Sequence, residues 1–167
     1  GIPLPPAAVP VPRVDAIDFP PPSAADAERM VCGALLRSPD LCAADVFARC
    51  AGDDFADHCA AVVFAACRSL WDRFAFGGIA DVYADILRRR DRGDPGCDLG
   101  RDPAGVLLGM WESAPTAVNA AWHANLVRAA ADRRRAAVRL RLALADLAVI
   151  ADAVTTPYQA VVRSALS

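Results

Sequence analysis

Six cysteines, two histidines and a run of aspartates are the side chains of this 167-residue sequence best suited to chemistry. Cys50, Cys59, Cys67 and His58 carry the donor atoms of a zinc site, and Asp53, Asp54 and Asp57 the carboxylates of an acid–base pair. Their spacing argues against both. His58 and Cys59 are adjacent and diverge on a helix, and no CxxC pair grips a metal from a second side. The aspartates precede an apolar-periodic stretch, where capping a helix and complementing its dipole account for them. His123, beside Trp122, reads as part of a packing face. There is no P-loop signature, no GxGxxG after a strand, no HExxH and no GxSxG. All 18 basic residues are arginine, so no lysine can serve a phosphate loop or form a Schiff base. The reading assigns no catalytic residue, no cofactor-binding residue, no metal ligand and no cofactor; the chain is not expected to be an enzyme.

The elements that would position a site point to an all-α fold. Alanine is abundant and aromatics reach only 7%, which favours close helix packing over a sheet. Residues 1–22 hold eight of the thirteen prolines and form an extended arm without a core. Ser23, with Asp26 three residues on, caps a first helix whose buried face is Met30, Val31, Ala34 and Leu35. Ser38-Pro39 opens a second helix to Cys50, Asp54 starts a third through Leu70 and Trp71, and Asp81 a fourth through Leu87. Asp102-Pro103 opens a short helix to Trp111, and Thr156-Pro157 a short last one. Cys32, Cys50, Cys59 and Cys67 fall inside these apolar patterns, so they are read as reduced core residues of a cytoplasmic protein. No basic leader precedes an apolar run, and no 18-residue uncharged stretch suits a membrane.

From Ala117 to Ala153 the sequence contains neither proline nor glycine, enough for one helix of roughly 55 Å. A globular domain of about 100 residues has a radius of gyration near 13 Å, so such a helix projects. Trp122, Leu126, Ala130, Ala137, Leu140, Leu144, Leu147, Ala151 and Val154 follow a 3–4 spacing broken at Arg133, and Val138, Leu142, Ala145 and Val149 form a second stripe. An apolar stripe left over on a projecting helix implies another chain. Three parts are therefore expected: the arm (1–22), a helical globular domain (23–114), and a long projecting helix with a short or truncated second helix, hairpin-like (115–167). Net charge is −2, which draws the chain to neither nucleic acid nor anionic lipid as a whole. Two arginine clusters stand out. Arg88-Arg89-Arg90 with Arg92 suits a helix C-terminus, and Arg133-Arg134-Arg135 with Arg139 and Arg141 has few acids near it in sequence.

Four blocks then resemble, in order, the N-terminal domain of DnaB-type replicative helicases: Ala27-Glu28 with Val31-Cys32-Gly33-Ala34-Leu35-Leu36; Asp54-Phe55, His58, Val63-Phe64-x-Ala66 and Leu70; Ile79-Ala80-Asp81-Val82 and Leu87; and Ala114-Pro115-Thr116-Ala117-Val118-Asn119 with His123-Ala124-Asn125-Leu126-Val127-Arg128 and Arg134. Cys32 replaces the usual leucine, His123 a tyrosine and Ala129 a glutamate. The resemblance implies a non-catalytic module that pairs with copies of itself and docks primase, a helicase or a loader protein. Trp122, Leu126, Arg128, Arg134, Leu140, Leu144 and Leu147 are the expected interface residues. Two alternatives stand beside it. One is a stand-alone homologue without a motor that regulates or adapts a helicase. The other is a helical nucleic-acid-binding domain acting through the Arg133–Arg141 surface.

Overall fold

The computed structural model describes residues 24–167, so the proline-rich arm and the expected cap Ser23 lie outside the described residues. The order is α1 (Ala24–Arg37), α2 (Pro39–Arg49), a 3-10 turn (Gly52–Asp54), α3 (His58–Asp72), α4 (Ile79–Asp91), α5 (Pro103–Ser113) and α6 (Ala120–Leu166). Among the described residues there is no strand. The all-α fold with a long C-terminal helix is the one the periodicity predicts.

α1 lies at the centre and packs against every other α-helix. Its residues from Val31 to Leu36 are therefore all buried, without the usual polar face. Two residues in it answer to that crowding. Gly33 faces α5 so closely that an added Cβ would lie 2.1 Å from the Met110 carbonyl oxygen and 2.8 Å from Ala114 Cβ. Glu28 is fully buried, and its two oxygens accept the Ala56 and Asp57 N–H groups at 2.9 and 2.8 Å. These donors lie at the N-terminal end of α3, where the helix dipole favours an anion, so the carboxylate is stabilised without a cation. At the other end of α1, Arg37 donates to the Ala114 and Trp111 carbonyls (2.8 and 2.9 Å) and lies 3.6 Å over the Trp111 ring. It thereby satisfies carbonyls that the end of α5 leaves open.

Local signals place α2 and α5 as expected, with Pro39 and Pro103 in their first turns. Three starts differ. Asp57, whose Oδ1 accepts from Ala60 N at 2.7 Å, caps α3; Asp54 instead closes the 3-10 turn by accepting from Ala51 N at 2.8 Å. α4 begins at Ile79 after Gly78, and Asp81 reaches back from inside it to the Gly77 N–H at 2.7 Å. α6 begins at Ala120 rather than Ala117.

The expected hairpin-like ending is corrected. Thr156-Pro157 opens no new helix, because α6 runs unbroken through Pro157 to Leu166. Proline's fixed φ is already helical, but its missing N–H leaves one carbonyl to water and its ring crowds the carbonyl four residues back, at a cost of about 3 kcal/mol in a helix interior. The Thr156 hydroxyl donates to the Asp152 carbonyl at 2.8 Å, which further supports the turn.

Gly33→Ala tests the central packing. Helix propensity alone favours alanine by about 1 kcal/mol. The opposing atom, however, is a backbone carbonyl that cannot swing aside, so net destabilisation of about 1–3 kcal/mol is expected in chemical denaturation. An unchanged or raised midpoint would contradict the α1–α5 geometry.

Candidate docking surface

The first four turns of α6 lie on the helical body. Ala120, Ala124, Val127 and Ala131 are buried, and these small side chains let α6 approach α1 and α2 closely. His123 is buried as well, with its ring edge-on to Trp122 at 4.8 Å. Its Nδ1 has no hydrogen-bond partner, and burial pushes its pKa below the ordinary value.

A clamp of arginines ends this contact. Asp54 is fully buried; its Oδ1 meets Arg135 at 2.7 Å and its Oδ2 meets Arg128 at 3.5 Å. Arg134 donates to the Asp54 carbonyl, and Arg135 also reaches Asp53 and Asp132, at 3.1 and 3.2 Å. Burial acts to raise the Asp54 pKa, but the Ala51 N–H and the Arg135 and Arg128 guanidiniums outweigh it and hold the carboxyl below its usual value. The second arginine cluster thus does have acids beside it, supplied by the 3-10 turn some 80 residues earlier in sequence. Arg133, Arg139 and Arg141 remain exposed and form no ion pair among the described residues. The first cluster is also occupied: Arg73, Arg88 and Arg89 converge on the buried Asp85 at 2.9, 3.4 and 2.7 Å.

Beyond Arg135 every side chain described on α6 is exposed, over residues 136–166 and roughly 45 Å of helix. Val138, Leu140, Leu142, Leu144, Leu147, Val149 and Ile150 are all more than half exposed, and Tyr158, Val161 and Leu166 continue the apolar surface. The expected interface residues therefore fall into two groups. Leu140, Leu144 and Leu147 stand together on the outer half. Trp122 and Leu126 stand at the base, Trp122 54% exposed and Leu126 half-buried against the core, while Arg128 and Arg134 belong to the clamp. About 27 Å of helix separates Trp122 from Leu140. Exposed apolar residues that the sequence reading did not select for the interface include Leu41, Phe74, Tyr83, Leu108 and Val118. Helical spacing had placed none of them on an interface.

The chemical candidates do not converge. His58 is exposed, with Nε2 3.0 Å from the Asp98 carbonyl. Cys50 and Cys67 are buried, and no group of three or more metal-binding side chains is assembled among the described residues. Burial is the main reason the thiol pKa rises, to about 11 for Cys42 and about 12 for Cys50, with Cys32 and Cys67 also pushed well up. These thiols stay protonated and unreactive at neutral pH. No helix among the described residues is long and apolar enough to cross a membrane.

No family model matches the chain, and no curated protein does. Among solved structures, it is similar to the N-terminal domain of DnaB helicase from Mycobacterium tuberculosis. Identity is 30% and the TM-score 0.54, over 67% of this chain and 73% of that one. The chain belongs to the DnaB N-terminal domain family. The DnaB-like blocks now have positions: Ala27, Glu28, Gly33, Leu35 and Leu36 line the centre of the body, Asp54 anchors α6, and Phe55, Phe64 and Leu70 pack beneath it.

Two titrations probe this geometry. Asp54 has a folded pKa below its unfolded value of about 3.9, so its contribution is complete above that pH and is lost as pH falls through the folded value. Asp54→Ala, which strands the Ala51 N–H, is expected to cost about 1–3 kcal/mol near neutral pH and to flatten the acid limb of a thermal-denaturation series. His123 has the opposite charge type. Its folded pKa lies below about 6.5, so the unfolded chain takes up the proton first and stability falls on acidification from that pH. His123→Phe should remove this step while leaving the Asp54 limb in place.

Proposed function

We propose that the chain is a non-catalytic oligomerisation and docking module of a replicative helicase system, acting in the cytoplasm. The outer half of α6 pairs with other copies, and the assembly presents the helical body to primase or another replication protein. The observation that carries this reading is the exposed apolar surface of residues 136–166, held away from its own body by the Asp54 clamp. Monomeric proteins rarely leave so long an apolar stripe in water. On this reading residues 115–167 serve assembly and residues 23–114 serve docking, with Trp122 and Leu126 at the junction between them.

The nucleic-acid alternative is weaker, because Arg128, Arg134 and Arg135 spend their donors on the protein itself. Of the Arg133–Arg141 surface only Arg133, Arg139 and Arg141 remain for phosphates, in a chain of net charge −2.

The experiment is light scattering coupled to size exclusion, on the chain alone and mixed with the helicase-binding domain of a primase. A mass of two copies or more is expected. Leu140→Ser, Leu144→Ser and Leu147→Ser together should lower that mass without lowering the melting temperature of the body, since all three lie outside the core. A wild-type monomer would remove the assembly reading, and a primase that elutes separately from an oligomer would remove the docking partner while leaving assembly intact.

A further inference from the structure

Phe74 is a residue that stability alone does not select. It follows α3 with φ +56°, in the left-handed region that favours glycine, and its side chain is 100% exposed. The turn around it is well formed. The Ala75 N–H donates to the Leu70 carbonyl at 2.9 Å and the Phe74 N–H to the Trp71 carbonyl at 3.0 Å, a helix-ending pattern that normally carries glycine at this position. A phenylalanine here is unfavourable twice, once for its backbone and once for the ring left in water.

The surroundings suggest what offsets this. Phe74, Trp71, Phe76 and Asp40 line an open depression of about 240 Å³ between the end of α3 and the start of α2. Trp71 is half-buried with its ring 6.0 Å from that of Phe47, and Phe76 packs against the core, so two walls are fixed and Phe74 is the free one. Asp40 is exposed and makes no ion pair among the described residues. Three aromatic rings with a single carboxylate are the composition that binds an organic cation, because ring faces and carboxylate attract the same charge. An apolar ligand gains nothing from Asp40, and a second copy docked here about a two-fold axis would bring Asp40 toward its own twin.

We propose that this depression is an aromatic cage for a basic side chain, arginine or lysine, presented by a partner protein, with Phe74 closing over the bound cation. The site is separate from the outer half of α6, so it stands or falls independently of assembly. The test is an NMR titration of the full chain, following the Trp71 indole and the Phe74 and Phe76 amides. The probes are capped Ala-Ala-X-Ala-Ala peptides with X as arginine, lysine or uncharged norleucine, together with choline. Saturable shifts with the arginine and lysine peptides are expected, at least about tenfold stronger than with norleucine, and lost in Phe74→Ala and Asp40→Asn. Phe74→Gly should also lose binding while raising the melting temperature by about 2–4 °C, which separates loss of the cage from loss of the fold. Equal binding of the norleucine peptide would make the depression an ordinary apolar groove. Choline binding without peptide binding would assign it to a free small cation. No shift with any probe would overturn the cage altogether.

Discussion

The contact between Asp54 and the arginines of α6 decides what kind of object this chain is. A fully buried carboxylate is costly unless hydrogen-bonded and paired, and Asp54 is both, through the Ala51 N–H, Arg135 and Arg128. Because Arg134 also grips the carbonyl of the same residue, α6 is held at its last buried turn by both the side chain and the backbone of one anchor. Four turns of small residues pack N-terminal to that point, and none C-terminal to it. The helix therefore leaves the body in one direction, with one face toward each side.

The buried positions also explain what the kinship with the DnaB N-terminal domain conveys. Glu28 orders the start of α3, Gly33 sets the distance between α1 and α5, and the tilted rings of Phe55 and Phe64 meet at 4.5 Å. The first two shared blocks consist almost entirely of buried residues like these, so similarity in them transmits architecture. Leu41, Phe74, Val118 and the outer half of α6 are exposed and carry no such packing.

What could be read from the sequence follows the range of the interactions involved. Ser38-Pro39 and Asp102-Pro103 marked helix starts correctly, because an N-terminal proline acts within one turn. Choosing between Asp54 and Asp57 as the cap of α3 depended on Glu28, whose carboxylate takes the Ala56 and Asp57 N–H groups across 28 and 29 residues. The partners of the second arginine cluster were hidden in the same way, since a span of about 80 residues has no local pattern. The unbroken passage of α6 through Pro157 was missed for another reason. Proline is a strong stop signal where tertiary packing offers an alternative path, and every side chain described in residues 151–166 is exposed. Phe74 had no signal at all, because a left-handed phenylalanine cannot be told from an ordinary one by its letter.

The outer half of α6 constrains any assembly built on it. At 100° per residue, Leu140, Leu144 and Leu147 lie on one side of the helix, and Val138, Leu142 and Val149 on nearly the opposite side. All six are between 53% and 68% exposed. One neighbouring helix covers a seam of about two residues in seven and leaves the other stripe wet. On the proposed reading, each α6 therefore needs a neighbour on both sides. Two copies paired along one stripe would still expose the second, which favours growth of the assembly until both faces are covered by further copies or by a partner's helix. A simple dimer would fit only if its helices bent enough to bury both stripes, and the alanines that separate the leucines provide no bulk for such a wrap.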